Sequence, residues 1–241
     1  MEFPRSGLHA HYSPDGWDTA AGVWRDESGH GRDSEPVGGV GEVRLESGAG
    51  NGSRASIFFV AGPATAFVRF PLRTVPVHFT VCSVARFAGA PLSAGAGAVV
   101  GCEDLAWYHG HYGGAAGRNL YVAAVTPADT TVDDRLDWLV MCGQNAPPAE
   151  SVHLANGRDV GLGSGATGTG NCRLTINLFA AASQRTAFAV HGISVWSRHL
   201  SYDEMRAASE TYLEHLRNNS GAKVRAGVRG GSMAADAVLA G

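Results

Sequence analysis

The chain has 241 residues, of which 44% are hydrophobic and 17% charged, with 33 glycines and a formal net charge of −3. That balance excludes a general electrostatic attraction to nucleic acid or anionic membrane. No apolar run is long enough to cross a bilayer, so membrane insertion is not expected. The length suits a single all-β domain rich in turns.

The four cysteines, Cys82, Cys102, Cys142 and Cys172, form no CxxC pair. This argues against a zinc ribbon or a thioredoxin-type site and leaves three disulfide pairings open beside free thiols. The opening MEFPRSGLHAHYS has no apolar stretch of the secretory kind. The expectation is an intracellular protein or a domain of a longer precursor. Asn51-Gly-Ser53 and Asn218-Asn-Ser220 fit the glycosylation triplet, which matters only in a secreted chain.

Residues 1–6 read as a loose end and 7–12 as a first strand. Asp, Ser and Gly then crowd a run of turns, which Trp17 and Trp24 anchor to the core. Residues 46–54 read as another turn cluster, followed by strands over 56–60, 66–72 and 76–87. In the last of these, Val77, Phe79, Val81, Ala85 and Phe87 share one face, and His78, Thr80, Cys82 and Arg86 the other. A Gly/Ala/Pro loop over 88–96 leads to strands over 98–101, 119–125 and 136–142. Asn156-Gly157, between 152–155 and 158–161, predicts a tight hairpin, because both turn residues need positive φ. Residues 173–179 alternate again after a glycine-rich loop over 162–171.

The closing strand covers 186–198. Phe188 and Val190 hold one parity, Ile193 and Val195 the other, which predicts a β-bulge at His191-Gly192. Ser201-x-x-Glu204 is a capping box for a helix with Met205, Ala208, Tyr212, Leu213 and Leu216 on one stripe. Residues 218–241 form a Gly/Ala-rich tail for which disorder is expected.

Chemistry concentrates in Trp107-Tyr108-His109-Gly-His111-Tyr112, with Arg118 and Asn119 close behind. Aromatic faces stack on the C–H face of a pyranose, and imidazole, guanidinium and amide groups bond its hydroxyls. The alternative is a strand edge whose aromatics fill the core. His109 and His111 share a strand face and could chelate a metal, but zinc needs more ligands than two. His9 and His11 repeat that spacing and read as outward-facing strand residues. Asp133, Asp134 and Asp137 could supply oxygen ligands to calcium, or form a solvated turn. Residues 163–168 match G-x-G-x-x-G, but no helix or acidic partner follows, so they read as a loop. Nucleophile-elbow, P-loop and zinc-protease motifs are missing, as are the paired carboxylates of a glycosidase strand.

Three places carry a family resemblance: Trp24-Arg-Asp26-Glu-Ser-Gly29-His-Gly31-Arg-Asp33, Val152-His-Leu-Ala-Asn156-Gly157, and residues 190–213 with Trp196, Arg198, Leu200 and the Ser201/Glu204 cap. In order and spacing they resemble the concanavalin A-like lectin/glucanase superfamily, in its laminin-G-like or pentraxin-like branch. The resemblance covers most of residues 7–216. It implies a two-sheet antiparallel jelly-roll sandwich over 7–217 with one short C-terminal helix. The chain departs from the family at Gly192 and Ser197, where acidic residues are common, so no relative's metal site maps onto it. The implied function is a non-catalytic module, extracellular or on the cell surface, whose partner is carbohydrate or a glycoprotein; calcium is a possible cofactor. A structural or protein-interaction module within a larger assembly is the alternative, favoured by burial of Trp107 and His111 and an apolar sheet face. A glycan-active hydrolase is the third reading.

Overall fold

The computed structural model describes residues 2–49, 56–88, 97–103, 105–122, 124–126, 138–147, 150–161, 169–179 and 184–218. Asp133, Asp134 and Asp137, the 162–168 loop, nearly all of the 88–96 loop and the tail from 219 lie outside them.

In chain order the strands are β1 (Leu8–Tyr12), β2 (Trp17–Asp18), β3 (Val23–Trp24), β4 (Gly38–Gly39), β5 (Arg44–Ala49), β6 (Ser56–Gly62), β7 (Ala66–Arg69), β8 (Thr80–Phe87), β9 (Val100–Cys102) and β10 (Trp107–His109). There follow β11 (His111–Tyr112), β12 (Ala115–Ala116), β13 (Leu120–Tyr121), β14 (Ala124–Val125), β15 (Leu139–Gln144), β16 (His153–Ala155), β17 (Arg158–Asp159), β18 (Leu174–Ile176), β19 (Phe188–Trp196) and the helix α1 (Tyr202–Asn218). An eight-stranded sheet runs β17-β16-β15-β8-β19-β6-β5, with β1 also on β19; a seven-stranded sheet runs β14-β13-β10-β9-β18-β7-β4. The pairings are antiparallel, and the product is an all-β sandwich with one helix.

One apolar cluster fills the space between the sheets, with Val68, Phe79, Val81, Trp107, Tyr121, Leu174, Val190 and Ile193 among its members. A second joins the eight-stranded sheet to α1 through Cys82, Val84, Leu154, Trp196, Met205, Ala208, Tyr212 and Leu216. Phe3, in the segment read as loose, packs on Trp196, whose Nε1–H donates to the Pro4 carbonyl at 2.9 Å. Trp17 and Trp24 pin the early turns as expected, and Trp24 is fully buried. Those turns fold around Asp26, whose carboxylate accepts from the backbone N–H groups of His11, Ser28 and Arg32. Burial opposes its ionisation, but these bonds win and hold it below the ordinary value.

Register matches the sequence pattern in three places. The β19 register shifts between Val190 and Gly192 where it meets β8, as the parity change requires. Asn156 and Gly157 turn β16 into β17 at φ 50° and 77°. The cap forms reciprocally: Ser201 N–H donates to Glu204 Oε2 at 2.9 Å and Glu204 N–H to Ser201 Oγ at 3.3 Å.

Elsewhere the structure departs from expectation. The turn cluster at 46–54 begins as strand, because β5 pairs with β6 as far as Ala49. The single strand expected over 119–125 is two, broken at Val122, whose φ is 64°. The strand expected from Pro76 starts at Thr80, and Val77 before it is exposed. All four cysteines are paired. Cys82–Cys142 joins directly opposed residues of β8 and β15, and Cys102–Cys172 crosses into β9. Their separations of 60 and 70 residues correspond, in the chain-entropy treatment, to about 4 kcal/mol each.

Where β10, β13, β15 and β16 meet, the core is polar. His109 Nε2–H donates to the Met141 carbonyl at 3.0 Å, so Nδ1 accepts from the Tyr121 hydroxyl at 2.7 Å. Asn119 Oδ1 accepts from Gly110 N–H at 2.9 Å, and its Nδ2 donates to His153 Nδ1 at 3.0 Å. That proton count makes His153 Nε2 the donor to Ser151 Oγ at 2.9 Å. Burial pushes His109 down to about 3 and His153 to about 4, so both are neutral. These groups close over bare Gly143: a methyl there would lie within 3 Å of Asn119 Nδ2, the Tyr121 hydroxyl and His153 Nδ1.

Gly143→Ala is therefore expected to destabilise the fold by about 2–4 kcal/mol, read as a drop in denaturant midpoint. An unchanged midpoint would show that the network tolerates displacement. A second test concerns Glu204. The Arg198 fork, with contacts of 2.6 and 2.8 Å, holds its carboxyl at about 2 against an ordinary 4.5; burial opposes the shift and Ser201 N–H assists it. A lowered folded pKa gives stabilisation that is complete above about 4.5 and is lost as pH falls toward 2. Glu204→Gln should cost about 1 kcal/mol at neutral pH, the side chain being partly exposed, and the gap from wild type should narrow at pH 3. Urea unfolding at the two pH values measures both.

Candidate functional site

Strand alternation divides the aromatic/histidine stretch between two environments. On β10, Trp107 and His109 point between the sheets and Tyr108 points out. Trp107 stacks on Tyr121 with centroids 4.9 Å apart and is fully buried. Asn119 and His109 are spent in the polar network. His111 is buried edge-on to Phe87, with both ring nitrogens unpartnered, and burial pushes it down to about 3. None of these four offers a face to a ligand. His109 and His111 share no chelating geometry: no group of three or more metal-ligating residues occurs among the described residues.

Tyr108, Tyr112 and Arg118 remain together on the outer face of the seven-stranded sheet. The two tyrosines stack with centroids 4.7 Å apart and planes at 24°, and Phe179 backs Tyr108 at 5.4 Å. Phe179 gets there because residue 101 is glycine: a methyl at 101 would collide with its ring. The Arg118 guanidinium lies 5.7 Å over the Tyr112 ring, and its enclosed Nε has no partner among the described residues. The helix does not shield this face, since it packs on β8, β15 and β16 of the other sheet. Further along the same face, Arg69 pairs with Glu103 at 2.7 Å and with Glu35, and Arg173 pairs with both acids. That half is charge-satisfied. At the other end Tyr108 is buried, Tyr112 and Arg118 are half-buried, and Arg118 has no carboxylate partner among the described residues.

The buried Ser151–His153–Asn119 chain has the order of a nucleophile relay but not its proton arrangement. A serine nucleophile needs an imidazole nitrogen free to accept its proton. Here Gly110 N–H fixes the Asn119 amide so that Nδ2 donates to His153, and His153 in turn donates to Ser151. The serine hydroxyl then donates to the Gln144 carbonyl at 3.3 Å. The imidazole cannot act as base toward it.

The stretch singled out in the sequence is divided between two environments, a split not read from the sequence, and Phe179 was not among the candidates. Nor was Arg86, an outward residue of β8 that lies over Trp138 at 4.6 Å and Phe59 at 5.4 Å. The outward parity of Arg86 was legible; its aromatic partners, far off in sequence, were not.

Neither a known protein family nor a curated protein sequence matches the chain. Solved structures do. A Trypanosoma rangeli sialidase mutant displaying trans-sialidase activity aligns with a TM-score of 0.61 at 15% identity, over 90% of this chain and 35% of that one. The binding domain of Paraclostridial Mosquitocidal Protein 1 aligns at 0.59 and 12%, over 86% and 53%. Botulinum neurotoxin type C, whose cell entry depends on interaction with two ganglioside molecules, aligns at 0.51 and 10%, over 86% and 51%. The chain thus spans 35% to 53% of the length of these neighbours. At such identities the likeness concerns the fold: an antiparallel β-sandwich with this arrangement of strands.

Proposed function

We propose that this chain is a non-catalytic recognition module of the concanavalin A-like, laminin-G-like kind, binding carbohydrate or a glycosylated surface outside the cell. The observation that carries the reading is the stacked Tyr108–Tyr112 pair with Arg118 over it, on a sheet face that the helix leaves open. Tyr112, half-buried on the buried Tyr108 ring, offers its exposed part to the C–H groups of a sugar, and the half-buried Arg118 beside it donates to the sugar's oxygens. The neighbours lend support, since one is a toxin that meets gangliosides and another acts on sialic acid linkages. Two disulfides suit an oxidising compartment.

Hydrolysis is the weaker reading. A glycosidase needs a carboxyl held protonated beside an ionised one. Asp18, Asp26 and Glu204 all shift the other way, each lowered. One specific observation favours a protein-interaction module instead: Trp107 and His111 are buried. Of the exposed large apolar residues, Leu72 and Val77 line one pocket, whereas Val40 and Val122 lie on other segments of the chain.

A glycan array followed by calorimetry, with and without calcium, decides between these readings. The expected result is a glycan ligand whose affinity falls about tenfold, or about 1.4 kcal/mol, in Tyr112→Ala and again in Arg118→Ala. Absence of binding at millimolar ligand by a folded wild type would overturn the carbohydrate reading in favour of the protein-interaction one.

A further inference from the structure

The outer face of the eight-stranded sheet is only half covered by α1. Beyond the helix, Phe59, Ala61, Arg86 and Ala189 continue the same face, and the first strand of the β5–β6 pair rises beside them. The result is a trough of about 420 Å³, a size ordinary for small-molecule sites. Its apolar lining combines the buried Phe59, Ala61 and Ala189 with the more exposed Pro63, Ala88 and Ala187. One wall is Phe59 with Arg86; the other is Arg44 with Glu46.

Arg86 is the unusual element. Its guanidinium is held by the Trp138 and Phe59 rings, at 4.6 and 5.4 Å. Its Nε is enclosed without a hydrogen-bond partner, and no carboxylate pairs with it among the described residues. A partly buried guanidinium without an anion is costly, and stacking on rings compensates only part of that. The acids in the trough do not fill the gap. Arg44 takes both, at 2.7 Å from Glu46 and 3.7 Å from Glu42. The cation is thus fixed in orientation, and its donors are unclaimed.

We infer that this trough is a second binding site, for a sugar carrying a carboxylate. Arg86 holds the carboxylate through its planar fork, which matches two oxygens at once. The more exposed Pro63, Ala88 and Ala187 take the C–H face of the ring. Glu46 accepts from ring hydroxyls; Glu42 and Glu46 together outnumber Arg44 by one charge, which Arg86 offsets. The site is separate from the Tyr108–Tyr112 face, lies on the other sheet, and does not depend on it.

The test is a titration of the isotopically labelled full chain with sodium D-glucuronate and, separately, D-glucose, followed by amide NMR shifts. Glucuronate is expected to move the amides of Ala61, Arg86 and Ala189 with millimolar affinity, and glucose to bind about tenfold more weakly or not at all. Arg86→Gln should weaken glucuronate about tenfold. Arg86→Lys, which keeps charge and stem but not the fork, should weaken it about fivefold and serves if the Gln variant fails to fold. Equal responses to the two sugars, shifts confined to another face, or unchanged affinity in Arg86→Lys would each overturn the site. L-glutamate binding as tightly as glucuronate would overturn the sugar assignment and point to an acidic peptide.

Discussion

All nine residues of β19 are buried, and the strand bonds to β1, β6 and β8 at once. A strand so enclosed must match both of its faces, and a regular one could not do so with this sequence. Phe188 and Val190 belong to the core between the sheets, and so do Ile193 and Val195. The extra residue at His191-Gly192 reconciles the two parities. Without it Ile193 and Val195 would face the helix, and Ser194 and Trp196 would enter the inter-sheet core.

The docking of α1 follows from that bulge. A methyl at 192 would stand 3.1 Å from the Tyr12 carbonyl and 3.4 Å from the Tyr212 ring, so helix and first strand both close on a bare backbone. Ser194, turned toward the helix, bonds the Tyr212 hydroxyl and lies 2.7 Å from His11 Nδ1. Trp196 meets the Met205–Leu216 stripe in one cluster. Because the helix is fixed over β8, β15 and β16, it does not pack on the opposite sheet, and the far half of its own sheet keeps a trough.

Features written in a few neighbouring residues were legible before the structure: the Asn156-Gly157 turn, the Ser201/Glu204 cap and the β19 bulge. In each, the signal and the geometry it causes lie within one turn or one strand. The β5 strand was not legible, because Glu46-Ser-Gly-Ala has turn composition and becomes strand only through pairing with β6. The candidate site was half legible. Trp107, Tyr108 and His109 are all large and partly polar, so alternation alone does not say which parity faces inward. That choice is made by Tyr121 and Phe79, which receive Trp107, and by Met141, whose carbonyl receives His109. All three are distant in sequence.

Much of the polar interior is hydrogen-bonded, but Trp17, Trp107, His111 and Ser209 and four arginines each keep an enclosed atom without a partner among the described residues. His109, Asn119 and His153 each use both ring or amide functions, and Asn177 donates to the Ala66 carbonyl while accepting from Thr186 N–H. Among the unpartnered groups, Arg69, Arg86, Arg118 and Arg185 each have an enclosed Nε with no partner among the described residues, and each lies over an aromatic ring. Arg69 shares the ring contact but also pairs with Glu35 and Glu103. Stacking orients a guanidinium without neutralising it, whereas an acid does both. The chain has acids available and uses them on Arg25, Arg44, Arg69, Arg173 and Arg198. The two proposed binding surfaces rest on that contrast, a ligand's oxygens standing where no acid of the described residues does. Two of the three arginines left without such an acid lie at those surfaces, Arg86 at the alanine trough and Arg118 at the tyrosine pair.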